Sequence, residues 1–153
     1  MDDAKTAFRP GHFVWSNFPY EEDPLKPGPE EHLVYISRLA QLPNGTIVAT
    51  CVYTTSRPWN RSEKPPIGII PIGGEFAAQL EQRPFVIDAR RIAYVPINLD
   101  FFRHLNTPTH GILKKKAPLR LQEAVLNVMA DVSKRPEYKI ELGPYRPIKG
   151  RER

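Results

Sequence analysis

The sequence predicts a mainly β domain, a small and strongly bent sheet or partial barrel of five or six short strands with one helix near the C-terminal end. Three observations carry this. Seventeen prolines in 153 residues cut the chain into short segments, which favours strands and loops over long helices. Several of those segments are rich in β-branched and aromatic residues and are bounded by turn formers. Finally, a single segment repeats its apolar residues at helical spacing: Leu121, Val125, Val128 and Val132, with Ala124 and Met129 widening the stripe.

His12 to Phe18 reads as the first strand, between Pro10-Gly11 and Pro19. A polar loop from Tyr20 to Glu31 follows, where Pro24, Pro27, Gly28 and Pro29 exclude regular structure. His32 to about Gln41 is the second strand. Asn44-Gly45 then reaches the positive φ that a tight hairpin needs, and Thr46 to Thr54 returns as the third strand. Ile67 to Ile72 is a fourth strand, and Glu75 to Gln82 a helical turn. Phe85-Asp88 and Arg91-Val95 are two further strands or one bent strand. The helix runs from about 118 to 133: Pro118 suits its first position and Pro136 stops the run. Tyr138 to Leu142 forms a last strand. A single domain is thus expected over 9–142, between an N-terminal extension, 1–8, and a loose basic tail, 143–153.

With 41% hydrophobic and 25% charged residues, and no apolar run near the roughly 20 residues of a membrane helix, the composition is that of a globular protein without a membrane partner. The N-terminus is acidic and unlike a secretory signal, and one cysteine cannot form an internal disulfide, so a cytoplasmic location is expected. Cys51 lies in an apolar strand, as a buried inert thiol or, less simply, a nucleophile. The net charge of +5 is uneven: from Arg103 onward twelve Lys/Arg face five Asp/Glu, leaving ten against twelve in the rest. Such a basic end suits a polyanion such as RNA, and equally a solvated tail.

The histidines His12, His32, His104 and His110 are dispersed, and adjacent residues of an extended chain diverge, so Glu30-Glu31-His32 does not predict a metal site. No cofactor is expected: Gly73-Gly74 lacks the lysine and helix context of a phosphate loop. His32 has the residue type for proton transfer near neutral pH, with Glu31 to orient or replace it. Arg57 offers paired donors to a phosphate, and Thr54, Thr55 and Ser56 add hydroxyls. Trp59 between Arg57 and Arg61 suits base stacking and backbone contact. Each has a plainer reading: a charged loop edge for Glu31-His32, β-formers for the threonines, packing for the tryptophan. Arg90-Arg91 and Lys114-Lys115-Lys116 are basic clusters that steer RNA or an acidic protein, or simply face solvent.

The stretch RPGHFVWSNFPYEEDPLKPGP, the hairpin into ATCVYTTS, the segment PFVIDARRIAYVPI and the late helix together resemble the MazF/PemK toxin family over roughly residues 9 to 133. That resemblance implies a small SH3-like β-barrel and a homodimer. It further implies an endoribonuclease that cleaves single-stranded RNA without a metal and is held inactive by a small acidic antitoxin. Thr54-Thr55 fall on the family's strand-three hydroxyl residues, and Lys26 falls near its upstream glutamate. Where the family leads into strand two with Gly-X-Arg-Pro, this chain has Pro29-Glu30-Glu31-His32, with Glu31 in the arginine's place. An Arg-X-Asp of some members falls on Phe85 and Ile87. The departures imply altered or reduced catalysis, or a catalytically silent barrel of the same fold acting as an RNA- or protein-binding regulatory module.

Overall fold

The structure, a computed structural model, describes residues 8–56, 66–80, 82–105 and 116–145. It is mainly β, with the elements in the expected order: β1 Phe13–Ser16, β2 His32–Gln41, β3 Ile47–Thr55, β4 Ile69–Ile72, α1 Gly74–Gln79, β5 Phe85–Pro96, α2 Leu119–Ser133 and β6 Ile140–Leu142. They form a six-stranded mixed sheet in the order β1-β2-β3-β5-β4, with β6 added to β5. Every ladder is antiparallel except β5 with β6.

Asn44-Gly45 turns the β2–β3 hairpin as its composition requires. Gly45 sits at φ +91°, and Thr46 N donates to Asn44 Oδ1 at 2.9 Å. Beyond the turn the ladder runs from Gln41 opposite Ile47 to Val34 opposite Tyr53, with a bulge at Ser37. Of the two readings of the segment 85–95, one bent strand is correct. β5 pairs β4 through Phe85–Asp88 and then, on the same edge, β6 through Arg91–Ala93, so two short strands share one long neighbour.

The expected barrel is not closed. β1 and β4 are the two ends of the ladder path, and each is only four residues long. The chain itself covers the free side of β1: Asn17 N donates to the Phe101 carbonyl at 2.7 Å, Ser16 Oγ to the same oxygen at 3.0 Å, and Ala117 N to the Gly11 carbonyl at 2.7 Å. With those groups satisfied by loop backbone, no ladder joins β1 to β4 or β6 among the described residues.

α2 runs from Leu119 to Ser133, with Pro118 at the N-cap position, one residue before the first helical position expected for it, and making no side-chain cap. Its predicted stripe faces inward: Val125 and Val132 are fully buried, and Leu121, Val128 and Met129 pack against the core. That core runs from Phe13 and Phe18 through Val34, Ile36, Val52 and Ile87 to Phe102. Phe8, assigned to the extension on sequence, is buried with its ring 5.0 Å from Phe102. Gly143 and Tyr145, assigned to the loose tail, are tied down through Gly143 N to the Pro24 carbonyl and Tyr145 N to the Tyr94 carbonyl. Cys51 is fully buried and its thiol is pushed up by desolvation, so the inert reading applies. No helix among the described residues is long and apolar enough to cross a membrane.

Candidate functional site

His32 opens β2 opposite Ser16, where β1 ends and the polar loop begins. Tyr53 pairs with Val34, so period-2 alternation puts Tyr53 and His32 on one face, with ring centroids 5.5 Å apart. Phe18 backs Tyr53 at 5.1 Å, and Tyr20 flanks His32 at 6.4 Å. A cleft of about 390 Å³ lies over these rings and is completed by Glu21, Glu22 and Arg91.

Arg91 reaches the cleft because β5 bulges. Tyr53 stands opposite Asp88 and Val52 opposite Ile92, which leaves Ala89, Arg90 and Arg91 without partners on β3. Asp88 staples that bulge: its Oδ1 accepts from Arg90 N at 3.1 Å and from Arg90 Nε at 2.9 Å, and its Oδ2 accepts from Arg90 Nη2 at 3.1 Å. This hydrogen bonding raises the Arg90 pKa above its ordinary value, against a smaller opposing effect of burial. The basic pair is therefore split. Arg90 is committed to the bulge, while the Arg91 guanidinium lies 5.1 Å from the centre of the Tyr53 ring and 2.7 Å from Glu21 Oε2. Replacing Asp88 by alanine is expected to cost about 1–2 kcal/mol, because it removes a partly buried charge-assisted pair and a backbone acceptor. Urea denaturation measures this, and an unchanged midpoint would show that the bulge does not depend on the carboxylate.

Burial pushes the His32 imidazole below its ordinary value; Glu30 opposes the shift and Arg91 adds to it. Burial therefore favours the neutral ring, which is able to accept a proton. Tyr20 moves the other way: desolvation, then Glu30, Tyr53 and Glu22, raise its phenol, so it remains a hydrogen-bond donor.

The residues singled out on sequence are only partly brought together. His32 lines the cleft. Glu31 turns instead to His104, with Oε1 3.1 Å from Nε2 across 73 residues of sequence, and does not orient His32. Thr54 is buried and its hydroxyl donates to the Leu33 carbonyl at 2.6 Å, a bond that ties β3 to β2. Thr55 shares its face of β3 with Tyr53 by alternation, and Ser56 is exposed just beyond the strand. Lys26 is exposed in the loop, with its amide donating to the Asp23 carbonyl at 3.3 Å. Phe85 and Ile87 are core residues. Arg57, Trp59, Arg61 and Lys114-Lys115 lie outside the described residues.

Sequence reasoning did not single out Tyr20, Glu21 or Tyr53, and it saw Arg91 only as half of a charge cluster. A signal was present in Asp88-Ala89-Arg90-Arg91, a polar run interrupting an otherwise apolar strand, which is where a bulge re-aims side chains. Among the described residues no three His, Cys, Asp or Glu side chains converge as metal ligands. No family model, curated protein or solved structure matches the chain.

Proposed function

We propose that the cleft binds single-stranded RNA and cleaves it without a metal, as in a MazF/PemK-like toxin of divergent sequence, a cytoplasmic homodimer restrained by a small acidic antitoxin. The observation that carries this reading is the pairing of a neutral, desolvated imidazole, His32, with the Arg91 guanidinium in one open, aromatic-walled cleft. The reaction type is taken from the resemblance seen in the sequence; the mainly β sheet with one late helix supports a β-rich fold alone, since the barrel is not closed.

In this reading His32 takes the proton of a ribose 2′-hydroxyl. The 2′-oxygen attacks the adjacent phosphorus, and the Arg91 guanidinium balances the charge gathering on the phosphorane oxygens. The bond to the 5′-oxygen breaks and the proton passes to that oxygen, leaving a 2′,3′-cyclic phosphate and a 5′-hydroxyl. Tyr20, Tyr53 and Phe18 give the flanking bases an apolar wall. Arg91 thus supplies the cation that the chain lacks at Glu31.

One observation favours a second reading, a binding module without catalysis. Glu21 and Glu22 line the cleft and Glu30 stands near it, while the Thr54 hydroxyl and the Glu31 carboxylate are engaged elsewhere. Incubating purified protein with mixed-sequence single-stranded RNA in EDTA separates the two. Products with 5′-hydroxyl ends are expected. Intact RNA with saturable, salt-sensitive binding supports an RNA-binding module, and RNA that neither binds nor breaks removes both the nuclease and the RNA-binding module.

A further inference from the structure

Arg91, the cation assigned above to the phosphate, already has an anion. Glu21 Oε2 lies 2.7 Å from Arg91 Nη2, while the same guanidinium rests over the Tyr53 ring. A carboxylate oxygen at that distance makes the charge-assisted contact that a phosphate oxygen would make. We propose that Glu21 is a built-in competitor for the phosphate of a single-stranded nucleic acid, holding Arg91 in the free protein and giving it up when a phosphodiester takes its place. This rests on the reading of the cleft as an RNA site and adds how that site is restrained.

The loop that carries Glu21 is built to hold it there. Asp23 N donates to the Tyr20 carbonyl at 3.0 Å, which closes a turn around Glu21 and Glu22. Farther along, Gly28 N donates to the Asn17 carbonyl at 3.1 Å and Asn17 Nδ2 to the Gly28 carbonyl at 3.0 Å, pinning the loop's two ends together. Only glycine fits at 28, since a Cβ would run into the Phe18 carbonyl. At its far side the loop is held by Gly143 N on the Pro24 carbonyl. The carboxylate is therefore placed by backbone and does not have to find Arg91 from a disordered loop.

The pair itself can be broken. The Glu21 and Arg91 side chains keep 46% and 33% of their exposure, so water stabilises both charges once they part. A ligand with a single phosphate gains little by the exchange, because Glu22 and Glu30 remain near the cleft. A strand with further phosphates and stacked bases makes additional contacts and completes the exchange. The restraint thus selects for polymer over free nucleotide.

The test compares wild type, Glu21→Gln and Glu22→Gln for binding a fluorescently labelled single-stranded RNA and, separately, inorganic phosphate. Glu22 makes no ion pair among the described residues and controls for general charge. Freed of its competitor, Glu21→Gln is expected to bind RNA about two- to fivefold more tightly, with a smaller change for Glu22→Gln. RNA bound by wild type with no gain in Glu21→Gln, or with equal gains in both variants, overturns the competitor and leaves the RNA reading intact. Phosphate binding strengthened by Glu21→Gln in a protein that ignores RNA keeps Glu21 as a competitor for a bound anion but overturns both the selection for polymer and the RNA reading. Absence of binding to either ligand in all three proteins overturns both.

Discussion

On the proposed RNA-cleaving reading, replacing His32 by glutamine is expected to lower the cleavage rate by about 10²- to 10⁴-fold, the usual contribution of a positioned acid–base group. Glutamine keeps a polar side chain of similar reach and cannot exchange a proton near neutral pH. Because His32 is only half-buried at the start of a strand, the fold should survive, with stability within about 1 kcal/mol of wild type. The wild-type rate should also fall on acidification, with a midpoint displaced toward acid from that of an ordinary histidine, because burial disfavours the imidazolium. The same shift has a stability consequence of fixed sign. The unfolded chain takes up the His32 proton at higher pH than the folded one, so the contribution is fully retained above the unfolded value and lost as pH falls through the lowered folded value. In the glutamine variant this part of the acid destabilisation disappears. Cleavage by His32→Gln at the wild-type rate would falsify the assignment of the base.

Phe13→Ala carries the largest expected effect on folding, about 3–5 kcal/mol. The ring is fully buried in β1 and meets three others: Tyr35 at 5.2 Å and Phe85 at 5.9 Å edge to face, and Phe76 at 5.8 Å tilted. It is where β1, β2, β5 and α1 come together. Truncation removes its buried area, the edge-to-face contacts, and the partner atoms of every neighbouring ring, which close-packed backbone cannot readily replace. In a chain of this size the thermal midpoint should drop by roughly 6–20 °C. A drop of only a degree or two would mean that the four elements are held together elsewhere.

The sequence disclosed the parts of the fold that local chemistry decides. Asn44-Gly45 fixed a hairpin because a positive φ is a property of those residues, and the spacing of Leu121, Val125, Val128 and Val132 fixed a helix and its inward face. What it hid was decided across long separations. The opening of the sheet depends on backbone groups of Asn17 and Gly11 finding Phe101 and Ala117, and the fate of Glu31 depends on a histidine far along the chain. The site was half legible for the same reason. His32 drew notice as a residue type in a suggestive place. Arg91 needed the bulge, and the bulge needed a register between β3 and β5 that no window of sequence contains.

The sharing of one edge of β5 by β4 and β6 predicts an order of events during folding. Hairpin β2–β3 can form early, since its partners are close in sequence, whereas the β3–β5 ladder, which reaches from Val48 to Pro96, closes a long loop. The parallel ladder of Arg91–Ala93 with Ile140–Leu142 must wait for the whole of α2 to cross over. Gly143, one residue beyond that ladder, is also what clips the Tyr20–Glu31 loop through Pro24. A truncated chain that stops short of β6 is therefore expected to keep the β2–β3 hairpin and to lack both the β6 neighbour of Arg91 and the Gly143 clip on the loop. Completion of the cleft is thus expected to follow the docking of β6.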